Sequence, residues 1–168
     1  RTLAASLLGK ADSTAAEPIL RDALADDATH YGARSQAVID DGIALGAVLT
    51  ELSRFDEAIP ILRTAADQAR NLHGPLHSSV ANALQELSGT LAYAGDFAGS
   101  ERAIRDAVDI DERIYGPEHN ETLVARGNLY WSLEKQGRYE EGLRGRLQMM
   151  PLLEKFAASR PETLASAY

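Results

Sequence analysis

The chain has 168 residues, of which 45% are hydrophobic and 25% are charged, so it is long enough and apolar enough to form one domain with a continuous core. Its formal net charge of -8 excludes an ordinary nucleic-acid surface, which needs a stripe of lysine and arginine to displace counterions from phosphates. Because cysteine is absent, disulfides and thiolate metal sites are excluded too.

Apolar residues at helical spacing divide the chain into pairs of helices. Alanine and leucine dominate, and no window alternates strictly between apolar and polar residues, which favours helix over strand. The predicted pairs are 1–10 with 14–30, 35–52 with 55–73, 78–94 with 97–115, and 120–136 with 139–157, and residues 160–168 open a further unit. The predicted fold class is therefore all-α.

These helix pairs repeat with a period of 42 residues. The tripeptide His73-Gly74-Pro75 returns as Tyr115-Gly116-Pro117. Leucine recurs at the same period in two series: Leu3, Leu45, Leu87 and Leu129, and Leu7, Leu49, Leu91 and Leu133. A fixed period of this length indicates an α-solenoid, in which one helix pair stacks on the next. We divide the single domain into units 1–31, 32–73, 74–115, 116–158 and a truncated 159–168.

The turns carry residues that fit this division. Within a unit, Gly95 and Gly137 are suited to a left-handed helix C-cap. Between units, proline cannot extend the preceding helix, and the polar residues that follow it, such as Ser78 or Asn120, can cap the next one.

The remaining prolines divide into two kinds. Pro18 and Pro60 are interpreted as start signals near the first turn of a second helix, where the missing N–H costs little. Pro151 instead falls in a helix interior, where it predicts a kink or break near Met149. Arg146 adds to the irregularity of this unit, since earlier units have Leu62 and Ile104 in its register.

His77 and His119 occupy equivalent turns one whole repeat apart. That separation is too large for both to coordinate one metal ion at about 2 Å. A turn or helix-capping role is the interpretation we adopt, and no metal site is predicted.

The chain carries no recognisable catalytic motif. It has no glycine-rich phosphate loop after a strand, no nucleophile elbow and no His-Glu-x-x-His. Carboxylates such as Asp109, Glu140 and Glu141 have basic neighbours at exposed helical positions, which is typical of a solvated face. We therefore expect neither an enzyme nor a cofactor.

In each unit the first helix has two leucines spaced by four, and two of the turns that follow read Gly-Asp-Phe and Gly-Arg-Tyr. Together with an alanine-rich second helix, this pattern resembles tetratricopeptide repeats over essentially the whole chain. The 42-residue period, with Tyr-Gly-Pro-Glu-His at 115–119 and Gln-Gly-Arg-Tyr-Glu-Glu at 136–141, is similar to the longer variant found in kinesin light chains and many bacterial signalling proteins. The resemblance implies a right-handed superhelix whose first helices line a concave groove. It also implies binding of protein or peptide segments there, often through asparagines.

The groove residues follow from placing the leucines in the core and taking the opposite stripe of each first helix. They are Asp40, Thr50, Glu51, Asn82, Gln85, Tyr93, Asn128, Trp131, Glu134 and Lys135. Asn128 matches an asparagine of the kinesin-like pattern, whereas the neighbouring Gly127 departs from it. Trp131 has two open interpretations: an anchor for a ligand side chain, or packing against the following unit.

Function is predicted as a non-catalytic binding scaffold, the interaction region of a larger and bacterial regulatory protein. Its partner would be a protein or peptide segment. Two alternatives remain open: oligomerisation, including a homodimer, or a regulatory arm of a kinase-type or cyclase-type enzyme. The absence of an apolar run of about 18 residues argues against a membrane partner and favours a cytoplasmic location. Since the chain starts at Arg1 and ends at Tyr168 inside a helical pattern, we expect a fragment.

Overall fold

The computed structural model describes residues 13–32 and 34–159, which form helices joined by short turns. The helices are α1 (Ser13–Tyr31), α2 (Gln36–Glu51), α3 (Phe55–His73), α4 (Ser78–Tyr93), α5 (Phe97–Tyr115), α6 (Asn120–Lys135) and α7 (Tyr139–Ser159). Each of them begins and ends within two residues of its predicted bounds. The predicted segments 1–10 and 160–168 lie outside the described residues.

The helices stack as antiparallel pairs in a right-handed α-solenoid, so the predicted fold class is confirmed. Each helix packs on the next one along the chain, and the first helices α2 and α4 also contact each other directly. In the described ranges no residue forms a strand. None of the helices in these ranges is both long enough and apolar enough to cross a bilayer.

The core consists of the repeated leucines and of alanines from the second helices. Leu45, Leu49, Leu87, Leu91 and Leu133 are all buried. They face small residues such as Ala65, Ala66, Ala69, Ala103 and Ala107, which are also buried. Because alanine adds little bulk, the second helix of one unit can lie close to both neighbouring first helices.

Within each unit, the turn between the two helices passes through the left-handed region. The φ angles are 59° at Ser53, 87° at Gly95 and 78° at Gly137. The prediction for the two glycines is confirmed, and Ser53 adopts the same conformation despite its Cβ, which strains the backbone there.

Between units, the side chain that caps each first helix lies one residue before the predicted cap. His77 Nδ1 accepts a hydrogen bond from the Ser79 N–H at 3.2 Å, and His119 Nδ1 accepts one from the Glu121 N–H at 3.3 Å. The capping role predicted for the histidines is confirmed, while the proposal of Ser78 and Asn120 as caps is wrong, since both are the first helical residues.

The prolines lie deeper in their helices than predicted. Pro18 and Pro60 are the sixth residues of α1 and α3, so their interpretation as first-turn start signals is wrong. Helix α7 continues through Pro151, so the predicted break near Met149 is wrong as well, and a kink there stays a prediction. All three prolines are exposed, which lets water hydrate the carbonyl that each leaves without a partner.

Candidate binding groove

A cavity of about 500 Å³ opens between the first helices α4 and α6. Its lining residues are Gln85, Glu86, Ser88, Gly89 and Tyr93 from α4, Gly127, Asn128 and Trp131 from α6, and Arg146 from α7. We call this cavity and its lining the groove. Two consecutive units therefore contribute one face each, and α7 contributes a single charged side chain.

Extensive contact joins the first helices α2 and α4, whereas α4 and α6 frame the groove. In the earlier pair, the hydroxyls of Thr50 and Thr90 lie 2.8 Å apart and join α2 to α4 directly. In the later pair, the registers of these two residues hold Ala92 and Ser132, which cannot make that bond. Gly89 and Gly127 border this open space, and a Cβ at either position would meet no atom within 4 Å.

Four predicted groove residues meet in this cavity: Gln85, Tyr93, Asn128 and Trp131. The rings of Tyr93 and Trp131 are tilted by 56° with their centroids 6.5 Å apart. An aromatic pair with this geometry packs favourably and leaves ring surface for a further contact. The two amides are of the type that can hydrogen-bond an extended backbone.

Two more predicted residues flank the cavity. Lys135 Nζ lies 5.3 Å from the centroid of the Trp131 ring, within the range of a cation–π interaction. Glu134 accepts hydrogen bonds from Arg146 Nε at 2.7 Å and from Arg146 Nη2 at 3.3 Å. The guanidinium of Arg146 is thus held at the groove wall by an ion pair, and it holds the pKa of Glu134 below its usual value.

The carboxyl of Glu86 is the other charged group on the groove lining. The surrounding walls remove enough water from it to raise its pKa, and the nearby carboxylate of Glu51 raises it further. Glu86 is nevertheless exposed, so its carboxyl is accessible from solvent. Glu51 is in turn hydrogen-bonded by the Ser13 hydroxyl.

A buried acid lies behind the groove and holds one of its amides. Gln85 Nε2 donates to Asp111 Oδ2 at 3.1 Å, and only 1% of Asp111 is exposed. Burial raises the pKa of Asp111 to about 6, with the carboxylate of Glu121 raising it further and His119 lowering it. The orientation of Gln85 in the groove therefore depends on a carboxyl that titrates close to neutral pH.

Four predicted residues lie away from the cavity lining, and one of them is Glu51, whose carboxylate acts on Glu86. Asp40 Oδ1 accepts from Gln36 Nε2 at 2.7 Å, and Thr50 is used in the contact with Thr90. Asn82 is exposed on α4 and lines no part of the cavity. A contact of these residues with a ligand stays a prediction.

Sequence reasoning left Glu86, Gly127 and Arg146 out of the predicted site. Arg146 had a usable signal, because a charged residue replaces the buried Leu62 and Ile104 of earlier units. Gly127 also had one, as a departure from the asparagine pattern. Glu86 also had one, because helical spacing places it on the same stripe of α4 as the predicted Gln85, although a glutamate on a helix face is most often an ordinary solvated residue.

Among the described residues, no group of three or more histidine, cysteine or acidic side chains is arranged to hold a metal ion. The charged and polar groups of the groove are suited to hydrogen bonding and ion pairing.

Residues 42–113 match the family model of the tetratricopeptide repeat. Residues 42–113 contain tetratricopeptide repeats. The matched range covers α3 and α4 completely and most of α2 and α5, so it includes the α4 wall of the groove. No curated protein sequence matches the chain significantly.

Solved tetratricopeptide-type structures share the fold at low sequence identity. The nearly identical TPR-like repeats assigned to a kinesin light chain of Podosopora anserina superpose with a TM-score of 0.77 at 17% identity, over 96% of this chain and 74% of that one. BtubC (BKLC) from P. vanneervenii gives a TM-score of 0.83 at 15% identity, over 92% of this chain and 61% of BtubC. At these identities the similarity shows the fold.

A third structure is a Rap protein complexed with competence and sporulation factor. Its TM-score is 0.73 at 18% identity, over 90% of this chain. The tetratricopeptide solenoid described here spans only 40% of the length of that protein.

Proposed function

We propose that the groove between α4 and α6 binds an extended protein or peptide segment and that the chain has no chemistry of its own. The observation that carries the proposal is the meeting of Gln85, Tyr93, Asn128 and Trp131 in one cavity. Aromatic rings provide apolar contact area at small cost in side-chain entropy, and amides can hold a peptide backbone. Of the two interpretations of Trp131, the cavity supports the ligand anchor.

The architecture supports the same proposal. Tetratricopeptide solenoids are in general scaffolds for protein contacts, and a rigid scaffold lowers the ordering cost of binding because its groove is already formed. The similar Rap protein was crystallised with competence and sporulation factor. The net charge of -8 fits a protein partner in the cytoplasm better than a nucleic acid or an anionic membrane.

A displayed library of random 12-residue peptides, selected on the wild-type chain, tests this function. We expect enriched peptides that lose binding to a variant carrying Trp131→Ala and Asn128→Ala. The control carries Tyr139→Ala and Asn71→Ala, which remove an aromatic ring and an amide from exposed positions outside the groove. Equal binding by both variants, with circular dichroism unchanged, would refute the groove as the site.

Self-association is a second candidate function, favoured by one exposed face of α7. Leu143, Leu147 and Met150 follow helical spacing and are 57%, 56% and 50% exposed. Apolar surface at this spacing suits another helix, including one from a second copy. Light scattering on the wild type and on the double variant Leu143→Gln with Leu147→Gln tests self-association. A dimer that dissociates in the double variant supports this function, whereas a monomeric wild type refutes it.

The role within a longer protein is a further proposal. We propose that the chain is the interaction region of a larger regulatory protein. It spans 61% of BtubC and 40% of the Rap protein. A kinase-type or cyclase-type parent, with these repeats as its regulatory arm, is the alternative. The sequence of the full-length protein decides between them.

A further inference from the structure

The groove lining carries two charged side chains, and within the described residues only one of them has an ion-pair partner. Arg146 is already bound to Glu134, so its positive charge is compensated. The carboxylate of Glu86 has no hydrogen-bond or ion-pair partner within residues 13–32 and 34–155, although it lies on the lining of a 500 Å³ cavity. The one uncompensated charge on the lining is therefore negative.

The surroundings of Glu86 make it a poor host for an anion. Glu51, on the neighbouring first helix, contributes a second negative charge that already disfavours the ionised form of Glu86. An incoming carboxylate would add a third like charge in a partly desolvated groove, whereas a cation would compensate the first two.

The two aromatic rings of the groove also favour a cation. Trp131 already has an ammonium group, that of Lys135, 5.3 Å from its ring centroid. The ring therefore lies where a positive charge is stabilised, and Tyr93 offers a second ring 6.5 Å away. Planar guanidinium groups stack on such rings while hydrogen-bonding a carboxylate at their edge.

We propose that the groove selects a peptide segment carrying an arginine or lysine side chain, whose cation pairs with Glu86 beside Trp131 and Tyr93. This inference rests on the proposed peptide-binding function. A cavity of about 500 Å³ has room for a long side chain together with its backbone. Gln85 and Asn128 are then left to hold that backbone on either side.

The peptides selected from the random library also test this inference. We expect them to share a basic residue, and one such peptide is synthesised with a fluorescein label. A second peptide carries a neutral replacement for that residue, citrulline for arginine or glutamine for lysine. Anisotropy titrations measure the Kd of both peptides for the wild type, for Glu86→Gln and for Glu140→Gln. The Glu140→Gln control makes the same charge change at an exposed position on α7 outside the groove.

We expect that removing the charge from the peptide and removing it from Glu86 weaken binding through the same interaction. On the wild type, the neutral peptide binds about tenfold more weakly, because a charge-assisted hydrogen bond is lost. Glu86→Gln weakens the basic peptide to a similar degree and then discriminates the two peptides less than threefold. Glu140→Gln changes both Kd values less than twofold.

Two results overturn the inference and leave the peptide-binding function intact. In one, the peptides that depend on Trp131 and Asn128 are acidic or neutral. In the other, Glu86→Gln binds the basic peptide as tightly as the wild type does. If no selected peptide depends on Trp131 and Asn128, the peptide-binding function and this inference both fail.

Discussion

Arg138 reaches back 37 residues to Glu101, and its Nη1 donates to the two carboxylate oxygens at 2.7 and 2.8 Å. The Nε of the same guanidinium donates to Glu141 at 2.6 Å. Glu101 is only 6% exposed, although it is a glutamate on the second helix of a unit. The ion pair therefore joins two consecutive units across a largely buried interface.

The same arrangement occurs two periods earlier in the chain. Arg54 donates to Glu17 at 2.6 Å, again over 37 residues, and to Glu57 at 2.7 Å. At the intervening joint, Asp96 takes the register of the arginine and caps its own helix by accepting from the Gly99 N–H at 2.8 Å. In the described part of the chain, the ion-pair clamp therefore forms at Arg54 and at Arg138, while a helix cap takes its register between them.

Replacing Glu101 with glutamine is expected to destabilise the chain by roughly 1–2 kcal/mol, because Arg138 loses its buried counter-charge. Burial alone would raise the pKa of Glu101, but hydrogen bonds from Gln136 and Arg138 outweigh it and hold that pKa below its usual value. Urea denaturation followed by circular dichroism measures the loss. Glu141→Gln is the control, since Glu141 is an exposed partner of Arg138 and its loss is expected to cost less stability. If Glu101→Gln loses no more stability than Glu141→Gln, the clamp is not centred on the buried acid.

Ser53→Gly is expected to stabilise the chain by about 0.5–1 kcal/mol. Ser53 holds φ at 59°, a region that is unfavourable for a residue with a Cβ, and the equivalent residues of the next two units are Gly95 and Gly137. The reciprocal change, Gly95→Ser, introduces the strain and is expected to lower stability. Thermal unfolding of the two variants checks the opposite signs, and a shift of both in the same direction would show that φ does not control this turn.

Helix bounds and turn glycines followed closely from the sequence because they depend on local rules, whereas the caps of α4 and α6 are His77 and His119 and not the predicted Ser78 and Asn120. The 42-residue period places Leu45, Leu87 and the turn glycines in equivalent environments, and one helix pair then predicts the next. The local rule for proline was less informative. Pro151 lies on an exposed helix face, where loss of one hydrogen bond is tolerated, so packing preserved the helix.

The groove was predictable only in part because it depends on the distance between two helices. The stripe opposite the leucines contains Trp131 and Asn128, which line the cavity, since helical spacing determines that face. Which members of the stripe line a cavity depends instead on Gly89, Gly127 and the ion pair of Arg146. No periodicity indicates that separation, and the isolation of the Glu86 charge emerges only when neighbouring units are placed together.

Two glycines of α2 are expected to respond with opposite signs to the same substitution. A Cβ added at Gly42 would lie 3.5 Å from the Ala65 Cβ, an ordinary contact, so Gly42→Ala is expected to stabilise the helix by about 1 kcal/mol. A Cβ at Gly46 would lie 2.5 Å from Cγ and Cδ2 of the buried Leu62, so Gly46→Ala is expected to be destabilising. Chemical denaturation of both variants measures the signs. Stabilisation by Gly46→Ala would mean that α2 and α3 are less closely packed than described.

Two substitutions distinguish the capping hydrogen bond of His77 from the contact of its ring with His73. Its imidazole accepts from the Ser79 N–H and stacks on His73 with the centroids 4.0 Å apart. His77→Ala removes both contacts and is expected to cost about 1 kcal/mol. His77→Ser restores a capping oxygen, as Ser35 supplies one period earlier, and is expected to recover most of that loss in urea denaturation. If the serine variant is as unstable as the alanine variant, the stacked ring is the stabilising contact.

Asp111→Asn is expected to stabilise the chain above pH 6 and to have little effect near pH 4. The pKa of Asp111 is raised from 3.8 to about 6, chiefly by burial, so the fold favours the protonated carboxyl. That contribution is fully present below the unfolded pKa and is lost as the pH rises through about 6. Asparagine stays neutral, keeps an oxygen to accept from Gln85 and avoids the loss, which is roughly 3 kcal/mol at neutral pH.

Urea denaturation of both proteins between pH 4 and pH 8 measures this difference. The stability of the variant minus that of the wild type is expected to rise from near zero at pH 4 and to level off above pH 6. Asp109→Asn is the matched control. Asp109 lies two residues earlier on α5, is exposed and pairs with Arg113 one helical turn later. The stability of this variant is therefore expected to stay close to that of the wild type at every pH. A difference that is independent of pH would show that Asp111 is ionised in the fold throughout this range. Because Gln85 is held by Asp111, the same titration is expected to change the order of the groove, which makes peptide binding sensitive to pH around 6.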